Sequence, residues 1–105
     1  MAQCDVFRNP SAVKGDGFPY FVVIQSDQLA HLPTRLVMPL QRLLAAPRDA
    51  PRRLSLTVEV EGERLFLASH QCAPWPARML KTPVTNIAAQ ADAVRDSLDA
   101  VISGV

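Results

Sequence analysis

Residues 54–68 read Leu54-Ser55-Leu56-Thr57-Val58-Glu59-Val60-Glu61-Gly62-Glu63-Arg64-Leu65-Phe66-Leu67-Ala68. Leu54, Leu56, Val58 and Val60 alternate with Ser55, Thr57 and Glu59, a period of two that sets all four apolar side chains on one face of a strand. Glu61-Gly62 separates that run from Arg64-Leu65-Phe66-Leu67-Ala68, and Gly supplies the positive φ a tight turn requires. The stretch predicts a β-hairpin, so the chain is built around antiparallel sheet.

Working back from the hairpin, Pro47 to Pro51 is a loop, because each proline restricts itself and the residue before it. Gln41 to Ala46 holds helix formers for a single turn. Thr34 to Met38 is a short apolar strand that Pro39 closes by its missing N–H. Tyr20-Phe21-Val22-Val23-Ile24-Gln25 is continuous in β-branched and aromatic residues, the pattern of a central strand buried on both faces. Residues 3–7 form another short strand. A polar loop from Arg8 to Gly17 follows it, with Pro10, Gly15 and Gly17 as turn residues.

Working forward, Pro74-Trp75-Pro76 predicts a short strand, and Ala77 to Thr82 a loop. The period then becomes helical. Ile87, Ala91, Val94, Leu98, Val101 and Val105 recur at steps of three and four, with Gln90, Asp92, Arg95, Asp96 and Asp99 elsewhere on the circle. Asn86 is the predicted N-cap and Gly104 the C-terminal breaker. Asp96 and Asp99 stand where the negative end of the helix dipole opposes them, a broken local rule that can mark a functional end. The expected fold is mainly β: about five short antiparallel strands in a small, strongly bent barrel, with one C-terminal helix laid against the sheet.

With 105 residues, 49% apolar and 20% charged, the chain is expected to form a single domain over residues 1–105. A net charge of +1 gives no global field toward nucleic acid or an anionic membrane. The richest apolar run, Phe18 to Ile24, is far short of the ~18 residues that span a bilayer. Met1 to Pro10 lacks a basic start and an apolar core, so no secretory leader is read and a cytoplasmic location is expected. Cys4 and Cys72 are read as buried thiols. Nine prolines against four glycines fit a fold of short, stiff connections.

No catalytic, cofactor or metal motif emerges. Gly15-Asp16-Gly17 lacks the third Gly and the helix of a phosphate loop. His70, Cys72, Cys4 and His31 match no zinc spacing. Neither Ser26 nor Ser69 sits in a nucleophile elbow with an oriented base. Arg48, Arg52 and Arg53 could grip a phosphate backbone or an acidic peptide, although such arginines beside Asp49 are more often solvated.

Three segments taken together resemble the CcdB family, the toxin half of a toxin–antitoxin system: Tyr20 to Asp27, Arg35 to Leu40, and Arg42-Leu43-Leu44. The chain also ends, like that family, in a helix closing with a Gly and an apolar residue, here Gly104-Val105. The resemblance implies a homodimer of SH3-like barrels, similar in fold to MazF toxins. It also implies a non-enzymatic protein that binds the DNA gyrase A subunit, traps the gyrase–DNA cleavage complex and is removed by a CcdA-like antitoxin. The contacts it assigns to gyrase fall on Ser26, Ile102, Ser103, Gly104 and Val105, with no direct nucleic-acid partner, membrane, cofactor or metal. Ser103 departs from the family's Trp and Ile102 from an aromatic, and Gln28 differs from the apolar residue found nearby. Two alternatives follow: a protein of this fold whose target has been lost or changed, or an endoribonuclease of the MazF type, for which no catalytic motif is found.

Overall fold

The computed structural model describes residues 2–11, 17–43 and 56–103. Several sequence readings lie outside them: Gly15 and Asp16, Leu44 to Ala46, the Pro47 to Pro51 loop with Arg48, together with Arg52, Arg53, Leu54 and Ser55, and the terminal Gly104 and Val105.

In chain order the elements are β1 (Asp5–Arg8), β2 (Tyr20–Val23), β3 (Thr34–Arg42), β4 (Thr57–Val60), β5 (Glu63–Leu67), β6 (Ala73–Pro76), β7 (Thr85–Asn86) and α1 (Ala91–Ser103). The sheet runs β4-β5-β3-β2-β1-β7, with β6 also on β3, and every pairing is antiparallel. It curls into a half-barrel with the helix at the C-terminal end. The described residues hold seven strands rather than about five, because β6 and the two-residue β7 each find a ladder partner.

The hairpin forms as its residues dictate. Val60 faces Glu63 and Val58 faces Leu65 across a two-residue turn. Glu61 and Gly62 both take positive φ, 52° and 80°, the mirror-image turn whose twist matches the strands it joins. Val58, Val60, Leu65 and Leu67 are buried in the main core.

Alternation along β2 builds two cores. Tyr20 and Val22 join Val6, Met38, Leu40 and the hairpin residues on one face. Phe21 and Val23 join Phe7, Val37 and Leu80 on the other, where Trp75 packs against them. The Phe21 and Trp75 ring centroids are 4.9 Å apart and tilted by 58°, a favourable aromatic geometry. Fully enclosed side chains such as Met38, Leu40, Leu65 and Leu67 each contribute about 1.5–3 kcal/mol by leaving water.

Pro39 does not close β3. The strand continues to Arg42, so Gln41 and Arg42 are extended rather than part of a helical turn. On one edge β3 pairs β2 from Val37↔Val23 to Leu40↔Tyr20. On the other it pairs β6 through Val37↔Ala73 and then β5 from Leu40↔Leu67. Leu36 O accepts from Ile24 N and Arg42 N donates to Gly17 O, so even-numbered residues turn their polar groups toward β2. Pro39 therefore faces the opposite edge, at the point where the partner changes, and its carbonyl still accepts from Ala68 N. The missing N–H falls in a gap of the ladder, where it costs nothing.

The helix also differs from its sequence reading. Asn86 pairs with Asp5 in β7, and its Oδ1 accepts from Ala88 N at 2.8 Å. A 3₁₀ turn with Ile87 at its N-cap follows at Ala88–Gln90, and α1 starts only at Ala91. The buried face of α1 is Val94, Ser97 and Ala100, whereas Leu98 is half-buried and Val101 exposed. Ser97 lies over Met38, and its hydroxyl donates to Val94 O at 2.8 Å. Small residues face the sheet because the helix lies close to it, which turns the larger apolar side chains to the flank. Among the described residues no helix is long and apolar enough to cross a membrane.

The outer edge of β4 is closed by a side chain. Glu59 N donates to Gln90 Oε1 at 2.9 Å, and Gln90 Nε2 donates to Glu59 O at 3.0 Å. The carboxamide satisfies both edge groups as a neighbouring strand would, removing a template for intermolecular pairing.

Candidate functional site

The site is assembled from the turn after β2 and one flank of α1. Ser26 lies in extended geometry (φ −58°, ψ 143°), and its side chain accepts from Gln28 N at 3.2 Å. It thereby caps a 3₁₀ turn at Asp27–Leu29. Asp27 Oδ1 accepts from Gln3 N at 2.7 Å, and Gln3 Nε2 donates to Ile24 O at 3.0 Å. These two bonds fasten the segment before β1 to the Ser26 turn.

The far side of the turn is held by Gln25 and Arg35. Gln25 Nε2 donates to Leu29 O and Thr34 O, and its Oε1 accepts from Leu36 N at 3.0 Å. The Arg35 guanidinium donates to Ala30 O at 2.6 Å, to Thr34 O at 2.9 Å and to Leu32 O. Carbonyls that no strand or helix can satisfy are thus collected by two side chains. The turn exposes Leu29 and Leu32 to solvent.

Ala91, Arg95 and Leu98 follow one another along the flank of α1 and meet Gln3, Cys4 and Ile24 in a shallow cleft of about 70 Å³. Ile102, one turn beyond Leu98, extends the same ridge. It is 82% exposed. Ser103 is exposed as well, and its hydroxyl donates back to Asp99 O at 2.6 Å. Ser26 lies two residues past Ile24, and Ile102 four past Leu98. Gly104 and Val105 lie outside the described residues. Asp96 and Asp99 are exposed, and no basic residue stands in the last turn to balance them.

Arg95 links this flank to Cys4. Burial pushes the Cys4 thiol up, against the opposing pull of Arg95 and with help from Asp27 and Asp5. Burial also raises Cys72, whose Sγ donates to Ser69 O at 3.2 Å. Both thiols are therefore held protonated and poorly nucleophilic. Among the described residues no three His, Cys, Asp or Glu side chains come together to hold a metal ion. His70 and His31 are exposed. Trp75 lies in the second core against Phe21.

Sequence reasoning missed Gln25 and Arg35 as the residues that shape the Ser26 turn, and missed the Ala91, Arg95, Leu98, Ile102 ridge. The ridge was available as an i, i+4, i+7, i+11 series. The bonds of Gln25 and Arg35 have no sequence signature.

Compared with curated proteins, the chain finds no match. Compared with family models, residues 3–104 match the model described as CcdB protein. That match takes in every described element from β1 to α1, and the half-barrel with its C-terminal helix agrees with it. The chain belongs to the CcdB family of toxin–antitoxin toxins.

Proposed function

We propose that this toxin acts by binding the DNA gyrase A subunit and trapping the gyrase–DNA cleavage complex. It does so as a cytoplasmic homodimer without catalysis of its own, and a CcdA-like antitoxin neutralises it. The contact surface is Ser26 with the helix end, Ile102, Ser103, Gly104 and Val105. The observation that carries the reading is Ile102, a large apolar side chain 82% exposed in the last turn of α1. An exposed apolar residue on a rigid scaffold is the kind of group that anchors an interface. Near-neutral net charge supports a DNA-linked effect that works through a protein partner.

A second reading, a toxin of this fold with another target, is favoured by Ser103. Its short side chain is turned back onto Asp99 O and offers none of the area of the Trp usual in the family.

Expression in cells without antitoxin separates the two. Growth arrest with gyrase-linked DNA breaks, relieved by a gyrase A mutation and lost on deletion of Gly104 and Val105, is expected. Ser103→Trp should tighten binding to purified gyrase A. Arrest without breaks supports the second reading, and RNA fragmentation supports the endoribonuclease alternative.

A further inference from the structure

Between β2 and β3 the chain leaves the sheet, and its carbonyls there lose the ladder as a source of donors. They are gathered from several directions instead. Leu29 O accepts from Leu32 N and from Gln25 Nε2, and Pro33 O accepts from Ala77 N at 2.9 Å. Arg35 takes the largest share: its Nη2 donates to Ala30 O at 2.6 Å, and its Nη1 to Leu32 O and, at 2.9 Å, to Thr34 O. A guanidinium suits this task because it is a planar fork of five donors that stays charged, whereas an ammonium on a flexible stem is a point charge with three rotatable donors.

Two features set Arg35 apart from an arginine that merely decorates a strand. Among the described residues it is in no salt bridge, so its charge is directed at backbone dipoles of its own chain. What it fixes is exposed: Ser26 to Thr34 all face solvent, Leu29 is 44% and Leu32 39% exposed, and the 3₁₀ turn buries no side chain. A turn without buried apolar area is held by hydrogen bonds alone, and segments of that kind open at the low end of local stability. Arg35 opposes the opening from a fixed base, since it is half-buried in β3 and registered against Trp75.

We infer that Arg35 is a positioning residue for partner binding: it holds the Ser26 turn closed in the free toxin, so that Leu29 and Leu32 stand ready as an apolar contact pair. The inference rests on the reading of the Ser26 turn as part of the gyrase contact. Arg35 acts through the turn and makes no bond to the partner. A turn formed beforehand is bound without the cost of ordering it, and the apparent affinity scales with the closed fraction.

The test measures association and dissociation of the full chain with purified gyrase A. If Arg35→Ala leaves the turn closed about one time in ten, the association rate constant falls about tenfold, while dissociation, which starts from the closed turn, stays within about twofold. The salt dependence of association should not change, because no charge pair across the interface is removed. Methylguanidinium should restore association to Arg35→Ala and leave the parent chain unaffected, and Arg35→Lys should recover only part of the rate. Hydrogen exchange should quicken at the amides of Leu29, Ala30 and Leu32 in Arg35→Ala while those of β2 and β3 keep their protection. Should the alanine variant lose the sheet, Arg35→Lys carries the same comparison. Unchanged association with quickened exchange overturns the inference, and so does a loss carried by dissociation alone or a flattened salt dependence, either of which would make Arg35 a direct contact. Binding by the parent chain with Arg35→Ala indifferent defeats the inference alone, whereas no binding by the parent chain defeats the gyrase reading and the inference together.

Discussion

Truncating Ile102 separates the folding role of the helix end from its contact role. Ile→Ala removes three carbons, which at ~0.8 kcal/mol per buried CH₂ amounts to about 2 kcal/mol wherever the side chain is fully enclosed. In the folded chain Ile102 is 82% exposed, so almost none of that sum is at stake in folding. Alanine is also the better helix former by a few tenths of a kcal/mol. The unfolding free energy of Ile102→Ala should therefore lie within about 0.5 kcal/mol of the parent. At an interface that buries the side chain, the full 2 kcal/mol appears as about a 30-fold rise in Kd. Calorimetric titration against purified gyrase A, run beside thermal unfolding of the same samples, reads both quantities. Leu98→Ala is the control: it is half-buried against Ile24, so it should lower stability and binding together. An unchanged Kd with a normal melting curve would remove the helix end from the contact. A fall in Tm by several degrees would mean that Ile102 is already buried against something in the free protein.

Two further outcomes test other parts of the structure. Gln90→Ala should cost about 1–2 kcal/mol in urea unfolding, two side-chain bonds to Glu59 at 0.5–1.5 kcal/mol each less what water restores at a half-exposed site. It should also raise concentration-dependent association through the opened β4 edge, and unchanged stability and solubility would refute the clip. The raised thiols make stability fall in alkali. Below about pH 8.5, the ordinary thiol value, both states hold the proton and nothing is lost; above it the unfolded chain ionises first and is favoured until the folded thiols follow. Unfolding followed from pH 7 to 10 should show this loss, and it should shrink in a Cys4→Ala, Cys72→Ala variant; an identical slope in that variant would refute the assignment.

What could be read in advance was whatever depends on neighbours in the chain. The hairpin of Thr57–Val60 and Glu63–Leu67 is such a case, because alternation and a two-residue turn are local properties. The twofold burial of Tyr20 to Val23 is another, since a run without polar residues leaves no face for water. Pro39 was misread because the rule for proline counts the lost donor without knowing which edge it faces. Asn86 had the right chemistry, an acceptor offered to an amide two residues on, but it pairs in β7, and a 3₁₀ turn with Ile87 at its N-cap delays the helix to Ala91. The helix face was misjudged at Ser97 and Ala100 because periodicity weighs hydrophobicity, whereas close approach to Met38 selects small size. At the site, Ser26 and Ile102 are nominated through the family resemblance; Ser26 caps the turn after β2 and Ile102 is exposed in the last turn of α1. Gln25 and Arg35 are not, since each acts on carbonyls several residues away, and polar side chains after a strand are usually solvated.

The change of partner at Pro39 has a mechanical consequence. β3 is the only described strand that hydrogen-bonds three others, with β2 along one edge and β6 and β5 in succession along the other. A slip of one residue would invert every side chain of β3 between the two cores at the same moment that it broke both registers on the far edge. The wing that carries the hairpin and the wing that carries Trp75 therefore cannot loosen independently. Each is clamped through the same backbone. Unfolding of the sheet must be cooperative across this seam, and the Ser26 turn, rooted between β2 and β3, inherits its rigidity from both wings at once.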